Sequence, residues 1–146
     1  YGDHRDLHKE YRRQRQMCIR DRNKMANDFK RYTKPNVTTS TGASADAVYT
    51  VPSTGSVAME TVVIGVYLSN TSSAGVTGSV FLDAYGGSSG DVYLVKDATV
   101  PAGSALEVIS GGKVVVQGDG TANDVIRVSC STASSLDATV SVLEDV

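Results

Sequence analysis

The sequence predicts an all-β fold: a single β-sandwich or jelly-roll-like domain, preceded by a non-native N-terminal extension that is disordered or helical. Three observations carry this expectation. Short runs rich in valine, isoleucine, threonine and tyrosine recur about every ten residues, bounded by glycine, proline and serine turns. Several runs alternate apolar and polar residues, the period-two signature of a strand with one buried face. No segment carries the i, i+3, i+4 apolar stripe of an amphipathic helix.

Taken in order, residues 29–34 read as a first strand or an extended arm. Residues 35–46 are rich in Ser, Thr, Gly and Ala without an apolar period, and read as a loop or mobile linker. Residues 47–51 form a strand stopped by Pro52, and residues 53–56 a turn. The strongest strand is 61–69, where alternation puts Val62, Ile64, Val66 and Leu68 on one face and leaves Gly65 and Ser69 on the other. A turn cluster at 70–75 precedes a strand at 79–85, with Val80 and Leu82 in phase. The glycine-rich stretch 86–90 is a hairpin connection into a strand at 91–96. Pro101 and Gly103 set a turn at 100–104. A strand at 105–109, the two-glycine turn Gly111-Gly112 and a strand at 113–117 follow. Beyond the loop 118–123, residues 124–131 and 138–143 form the last two strands. The total of about eight or nine strands, many with one apolar face, suits two packed sheets.

Residues 1–22 resemble translated library adapter. The run Arg12-Arg13-Gln14-Arg15-Gln16-Met17-Cys18-Ile19-Arg20-Asp21-Arg22 back-translates into a transposase-type adapter with its mosaic end. Tyr1-Gly2-Asp3-His4-Arg5-Asp6-Leu7-His8 back-translates into a flow-cell primer, with Lys9-Glu10-Tyr11 in the place of a sample index. Such a segment is set aside before fold reasoning. It otherwise holds most of the apparent chemistry. His4 and His8 have the i, i+4 spacing of a metal pair, the arginines imitate a nucleic-acid arm, and Cys18 offers Cys130 a disulfide partner. The expected native start is Met25. The expected organisation is an adapter-derived extension over 1–24, an arm and linker over 25–46, and the sandwich over 47–146.

Residues 25–146 hold six Lys and Arg against twelve Asp and Glu, a formal charge of −6 where the whole chain has −2. An acidic body lacks the clustered cations that displace counterions from nucleic acid, so no nucleic-acid partner is expected. This stretch has no histidine, which removes Ser-His-Asp and Cys-His catalysis and histidine-based zinc sites. Cys130 lies in an apolar run and reads as a buried, inert thiol. No run reaches the length of a transmembrane helix, and no membrane partner or cofactor is expected.

Few residues group in a chemically suggestive way. Asp119, Asn123 and Asp124 share one loop whose oxygens could ligate calcium, but the alternating acids and closing glutamate of an EF-hand are missing, and a plain turn competes. Gly86-Gly87-Ser88-Ser89-Gly90 lacks the lysine of a phosphate cradle. Tyr32, Tyr49, Tyr67, Tyr85 and Tyr93 suit either a stacking platform or strand tyrosines at a core edge with hydroxyls in water. Asn36-Val37-Thr38 and Asn70-Thr71-Ser72 match the glycosylation sequon. No carboxylate pair stands out for glycoside hydrolysis, and the chain is expected to be no enzyme. Phe29, Lys30, Arg31 and Tyr32 form a short basic, aromatic arm. It is a candidate for docking on a neighbouring subunit or another protein, against the simpler reading of an edge strand.

Three segments resemble a family of small tailed-phage virion proteins from marine and other environments. They are Asp28-Phe29-Lys30-Arg31-Tyr32-Thr33, then Val48-Tyr49-Thr50-Val51-Pro52 with Thr61-Val62-Val63-Ile64-Gly65, and a tail. The tail runs from Tyr93-Leu94-Val95-Lys96-Asp97 through Lys113-Val114-Val115-Val116 to Ser141-Val142-Leu143-Glu144. The resemblance covers most of residues 28–144. It implies a non-enzymatic, β-rich structural component of the particle, a head decoration or a tail or neck accessory. Its partners would be other virion proteins and copies of itself, a trimer being one candidate state. It would be made in the host bacterial cytoplasm and located in the virion. The alternative is a carbohydrate- or receptor-binding β-module using Tyr67, Tyr85 or Tyr93.

Overall fold

The computed structural model describes residues 28–52, 58–87 and 90–144. The extension, with His4, His8 and Cys18, and the turn at 53–56 lie outside these residues. The described residues form nine strands: β1 (Asp28–Lys34), β2 (Asp46–Thr50), β3 (Met59–Asn70), β4 (Val76–Asp83), β5 (Asp91–Val100), β6 (Ala105–Glu107), β7 (Val114–Gly118), β8 (Val125–Cys130) and β9 (Leu136–Glu144). Two short 3₁₀ turns, Gly42–Ser44 and Ala84–Gly87, are the only helical elements among them. Branched and aromatic side chains that fit a pleated, half-buried surface dominate every long strand.

The strands pack as two antiparallel sheets. Sheet A runs β1-β9-β3-β6, with β7 also on β3, and sheet B runs β2-β8-β4-β5. β6 and β7 lie along the same side of β3, where Glu107 faces Tyr67 and Val114 faces Val63. Partner residues 108–113 therefore span a stretch that β3 crosses with residues 64–66. Gly111-Gly112 is thus no hairpin turn, as its sequence suggests, but part of an outward bulge within one interrupted strand. Gly111 supplies the left-handed φ of +69° that this excursion needs. Counting β6 and β7 as one, the first strand pairs with the last, the second with the second last, and so inward to β4 with β5. That nested pairing, wrapped into two sheets, is the jelly-roll topology.

β3 contains the most consequential irregularity. Its register against β9 slips between Val63 and Gly65, inserting Ile64 as a bulge. Thr61 and Val63 are buried before the bulge, and Val66, Leu68 and Asn70 after it. The expected single row of Val62, Ile64, Val66 and Leu68 is broken, because one extra residue reverses the facing of everything beyond it. The inter-sheet core collects Val63, Val66, Leu68, Val80, Ile126, Val128, Leu136, Val140 and Val142.

The segment between β1 and β2 is stitched to the body. Val37 is fully buried, its N–H bonds Leu136 O at 2.8 Å, and Cys130 N–H bonds Thr38 O at 3.1 Å. β1 pairs with β9 along its whole length, so residues 28–34 belong to sheet A. Cys130 is a free, buried thiol that donates to Thr132 O at 2.8 Å and Val37 O at 3.1 Å. Burial pushes its pKa up against the opposing effect of nearby backbone groups, which keeps it protonated and unreactive. β4 ends at Asp83, earlier than the alternation suggests, because Tyr85 takes a φ of +51°.

Gly78 of sheet B sits close against sheet A. A Cβ there would lie 2.8 Å from Cδ1 of both Leu68 and Leu136, two side chains with no exposed surface. Gly78→Ala is expected to destabilise the domain by about 1–3 kcal/mol through overpacking. Urea denaturation measures it as a lowered midpoint with an unchanged m-value.

Candidate interaction surface

The N-terminal strand is held by a buried carboxylate at the end of β9. Glu144 has no exposed side-chain surface, and it accepts hydrogen bonds from Lys30 Nζ at 2.7 Å and Tyr32 OH at 2.7 Å. The Tyr32 ring lies 4.8 Å from that of Tyr49, whose hydroxyl meets Thr61 Oγ1 at 2.9 Å. Lys34 Nζ reaches Asp46 Oδ1 at 3.0 Å. Burial works to raise the Glu144 pKa, but the bonds from Lys30, Tyr32 and Tyr49 outweigh it and hold the carboxyl below its ordinary value. The same contacts raise the pKa values of Lys30 and Tyr32, with the Glu144 hydrogen bond as the leading cause for each. Tyr49, unlike the core-edge tyrosines expected, is fully buried, and burial raises its pKa.

The four candidate docking residues therefore divide by strand parity. Lys30 and Tyr32 turn inward to Glu144, while Phe29 and Arg31 turn outward. Phe29 is 75 % exposed. In register beside it on sheet A stand Leu143 of β9, Val62 of β3 and Val115 of β7. These four form one apolar row across the outer face, ending at Val115, which is 53 % exposed. Tyr67 lies two outward rows further along and donates to Glu107 at 3.0 Å. A Cβ on Gly65 would sit 3.3 Å from the Tyr67 ring, so the ring covers the space that the glycine leaves. Sequence inspection flagged Phe29 and Arg31 but gave no signal for Val62, Leu143 and Val115. Their alignment depends on pairings between strands distant in the chain.

The sheet edges are poorly suited to strand addition. β1 carries Lys30 and Lys34 pointing inward, a known guard against edge pairing. β2 is five residues long with a register shift between Ala47 and Tyr49. β5 slips register twice against β4, and the β6–β7 line is interrupted. With the edges blunted, the apolar row on the outer face of sheet A is the candidate contact surface among the described residues.

The loop at 118–124 uses its oxygens for backbone donors. Asp124 is buried; Oδ1 accepts Tyr85 N–H at 2.8 Å and Oδ2 accepts Gln117 N–H at 2.9 Å. Asp119 Oδ1 accepts the N–H groups of Ala122 and Thr121, each at 2.7 Å, which lower its pKa. Asn123 Oδ1 is buried without a hydrogen-bond partner among the described residues, against Gly118. Four backbone donors thus already draw on the carboxylates that Asp119 and Asp124 would offer a cation. Asn70 is similarly committed: its Nδ2 donates to Ala74 O at 2.8 Å and Val100 O at 2.9 Å. The sequon at 70–72 thus presents a buried amide rather than an acceptor for glycan. Tyr67 and Tyr93 lie on different sheets, and Tyr93 stacks 5.1 Å from the buried Phe81 ring.

No protein-family model, curated protein or solved structure matches the chain.

Glu144→Gln is expected to cost about 1–3 kcal/mol, the range for losing charge-assisted hydrogen bonds. Glu144 has a folded-state pKa below its ordinary value of 4.5, so its contribution is fully present above that pH. It is lost as pH falls through the lower folded-state value. Chemical denaturation across pH 3–7, a range of about four units around the carboxylate values, should show the wild type losing stability more steeply on acidification than the glutamine variant.

Proposed function

We propose that this chain is a non-enzymatic structural component of a tailed-phage virion, a head decoration or a tail or neck accessory, working through protein–protein contacts. The observation that carries the reading is the apolar row Phe29, Leu143, Val62 and Val115 on the outer face of sheet A. A row of this kind, reaching an exposed aromatic at one end, has the composition of a contact centre. The acidic residues that invite a chemical reading instead serve the fold: Glu144 clamps β1, and Asp124 joins β7 to the turn after β4. A jelly roll with blunted edges is a stable, polar-rimmed module that contributes area without strand exchange. The resemblance to small phage virion proteins supports the same reading. For the glycan-binding alternative, Tyr67 and Tyr93 lie on different sheets and the Tyr93 ring packs on Phe81, which leaves no shared platform between those two.

Mass spectrometry of purified particles from the phage carrying this gene is expected to find peptides from residues 28–144 at structural stoichiometry. Phe29→Asp with Val115→Asp should fold normally yet be depleted from the particles. Particles that lack the chain altogether would contradict the proposal, as would full incorporation of the double variant.

A further inference from the structure

β1 is held to the domain mainly by polar contacts. It lies at the edge of sheet A, bonded to β9 alone. None of its seven residues is buried, whereas β9 buries five of nine; only Tyr32, partly buried, packs against the core. Beyond the backbone ladder, its hold and that of the turn after it come from three carboxylates on other elements. Glu144, at the end of β9, takes Lys30 and Tyr32. Asp46, at the start of β2, takes Lys34 with one oxygen and the Thr38 N–H, at 2.6 Å, with the other. Asp137 Oδ1 accepts the Asn36 N–H at 2.8 Å. Immediately beyond, the chain is pinned to the core: Val37 is fully buried, its N–H bonds Leu136 O, and its carbonyl accepts the Ser134 N–H. Between strand and pin lie only Pro35 and Asn36, both exposed, with Asn36 in the left-handed region at a φ of +55°. This pair is a hinge on which β1 can swing without disturbing the core.

We infer that β1 is an acid-releasable strap: protonation of Glu144 and Asp46 frees residues 28–34 from sheet A as one unit, while the two-sheet core stays folded. Elements with little apolar burial are the ones that open locally, below the free energy of global unfolding. Among the described residues, the titratable groups facing Glu144 are Lys30, Tyr32 and Asp28 of β1 and Tyr49 of β2, with the Thr61 hydroxyl of β3 beside them. Those facing Asp46 are Lys34 of β1 and the Cys130 thiol of β8. Burial works to raise the pKa of both carboxyls, but the bonds from Lys30 and Tyr32 at Glu144, and from Thr38 and Lys34 at Asp46, outweigh it. Both are thereby held below their ordinary values of 4.5 and 3.8. Their hold on the closed strand is present above those values and is lost as the pH falls through the lower folded-state ones. Phe29 and Arg31 travel with the strand, so release also removes one end of the outer apolar row.

Hydrogen exchange read by mass spectrometry on the full chain tests this, from about pH 7 to about pH 3 and corrected for the intrinsic pH dependence of exchange. Below pH 4.5, protection of residues 28–34 is expected to fall by up to about tenfold per pH unit for each proton taken up, while β4 and β8 stay protected. Lys30→Met leaves Glu144 without its cation, so release should begin at a higher pH than in the wild type. Glu144→Gln should loosen β1 already at neutral pH and flatten its acid dependence, leaving Asp46 as the remaining source. Lys30→Met keeps the carboxylate and carries the test if Glu144→Gln does not fold. A β1 that stays as protected as β4 until the whole domain unfolds would overturn the inference. So would a β1 unprotected at neutral pH, or a Lys30→Met variant that releases at the wild-type pH. Because exchange is read on the chain alone, failure here leaves the contact-surface reading standing.

Discussion

Ile64, one extra residue in β3, determines which side of sheet A its neighbours see. On the C-terminal side, Val66 and Leu68 must face the core, where burying each is worth about 1.5–3 kcal/mol. On the N-terminal side, Thr61 must face inward to meet the Tyr49 hydroxyl, and Val63 to meet the core. Thr61 and Val63 share a parity, and Val66 and Leu68 have the opposite one. A straight strand cannot satisfy both, so the bulge resolves the conflict. Its by-product is that Val62 turns to the outer face.

The same parity logic acts on β1. Glu144 lies on the inner side of β9, so Lys30 and Tyr32 must point inward to reach it. Alternation then places Phe29 and Arg31 outside. The buried polar clamp and the exposed apolar row are therefore two consequences of one register. Lysine held inward at an edge also discourages a foreign strand from adding to β1.

Period-two alternation and turn residues made the all-β class, most strand positions and the burial of Cys130 legible in the sequence. They did not reveal the bulge, because Val62, Ile64, Val66 and Leu68 alternate perfectly as text; the competing demands come from Tyr49 and the opposing sheet. Gly111-Gly112 reads locally as a hairpin, yet both flanking strands find β3, a choice made by partners far away in the chain. The 35–46 segment looks like a linker because its composition hides one deeply buried residue, Val37. Of the candidate surface, Phe29 and Arg31 stood out as an exposed arm, while Val62, Leu143 and Val115 looked like ordinary core. The loop acids at 119 and 124 resemble ligands in sequence because ligands and backbone acceptors draw on the same carboxylates.

The parity reversal at Ile64 is most directly tested by solution NMR of the methyl groups with a soluble paramagnetic agent. The account predicts strong relaxation enhancement for the methyls of Val62, Leu143 and Val115, and little for Val63, Val66 and Leu68. Protection of Val62 together with enhancement at Val63 would mean that β3 runs without the bulge, and the apolar row would not exist.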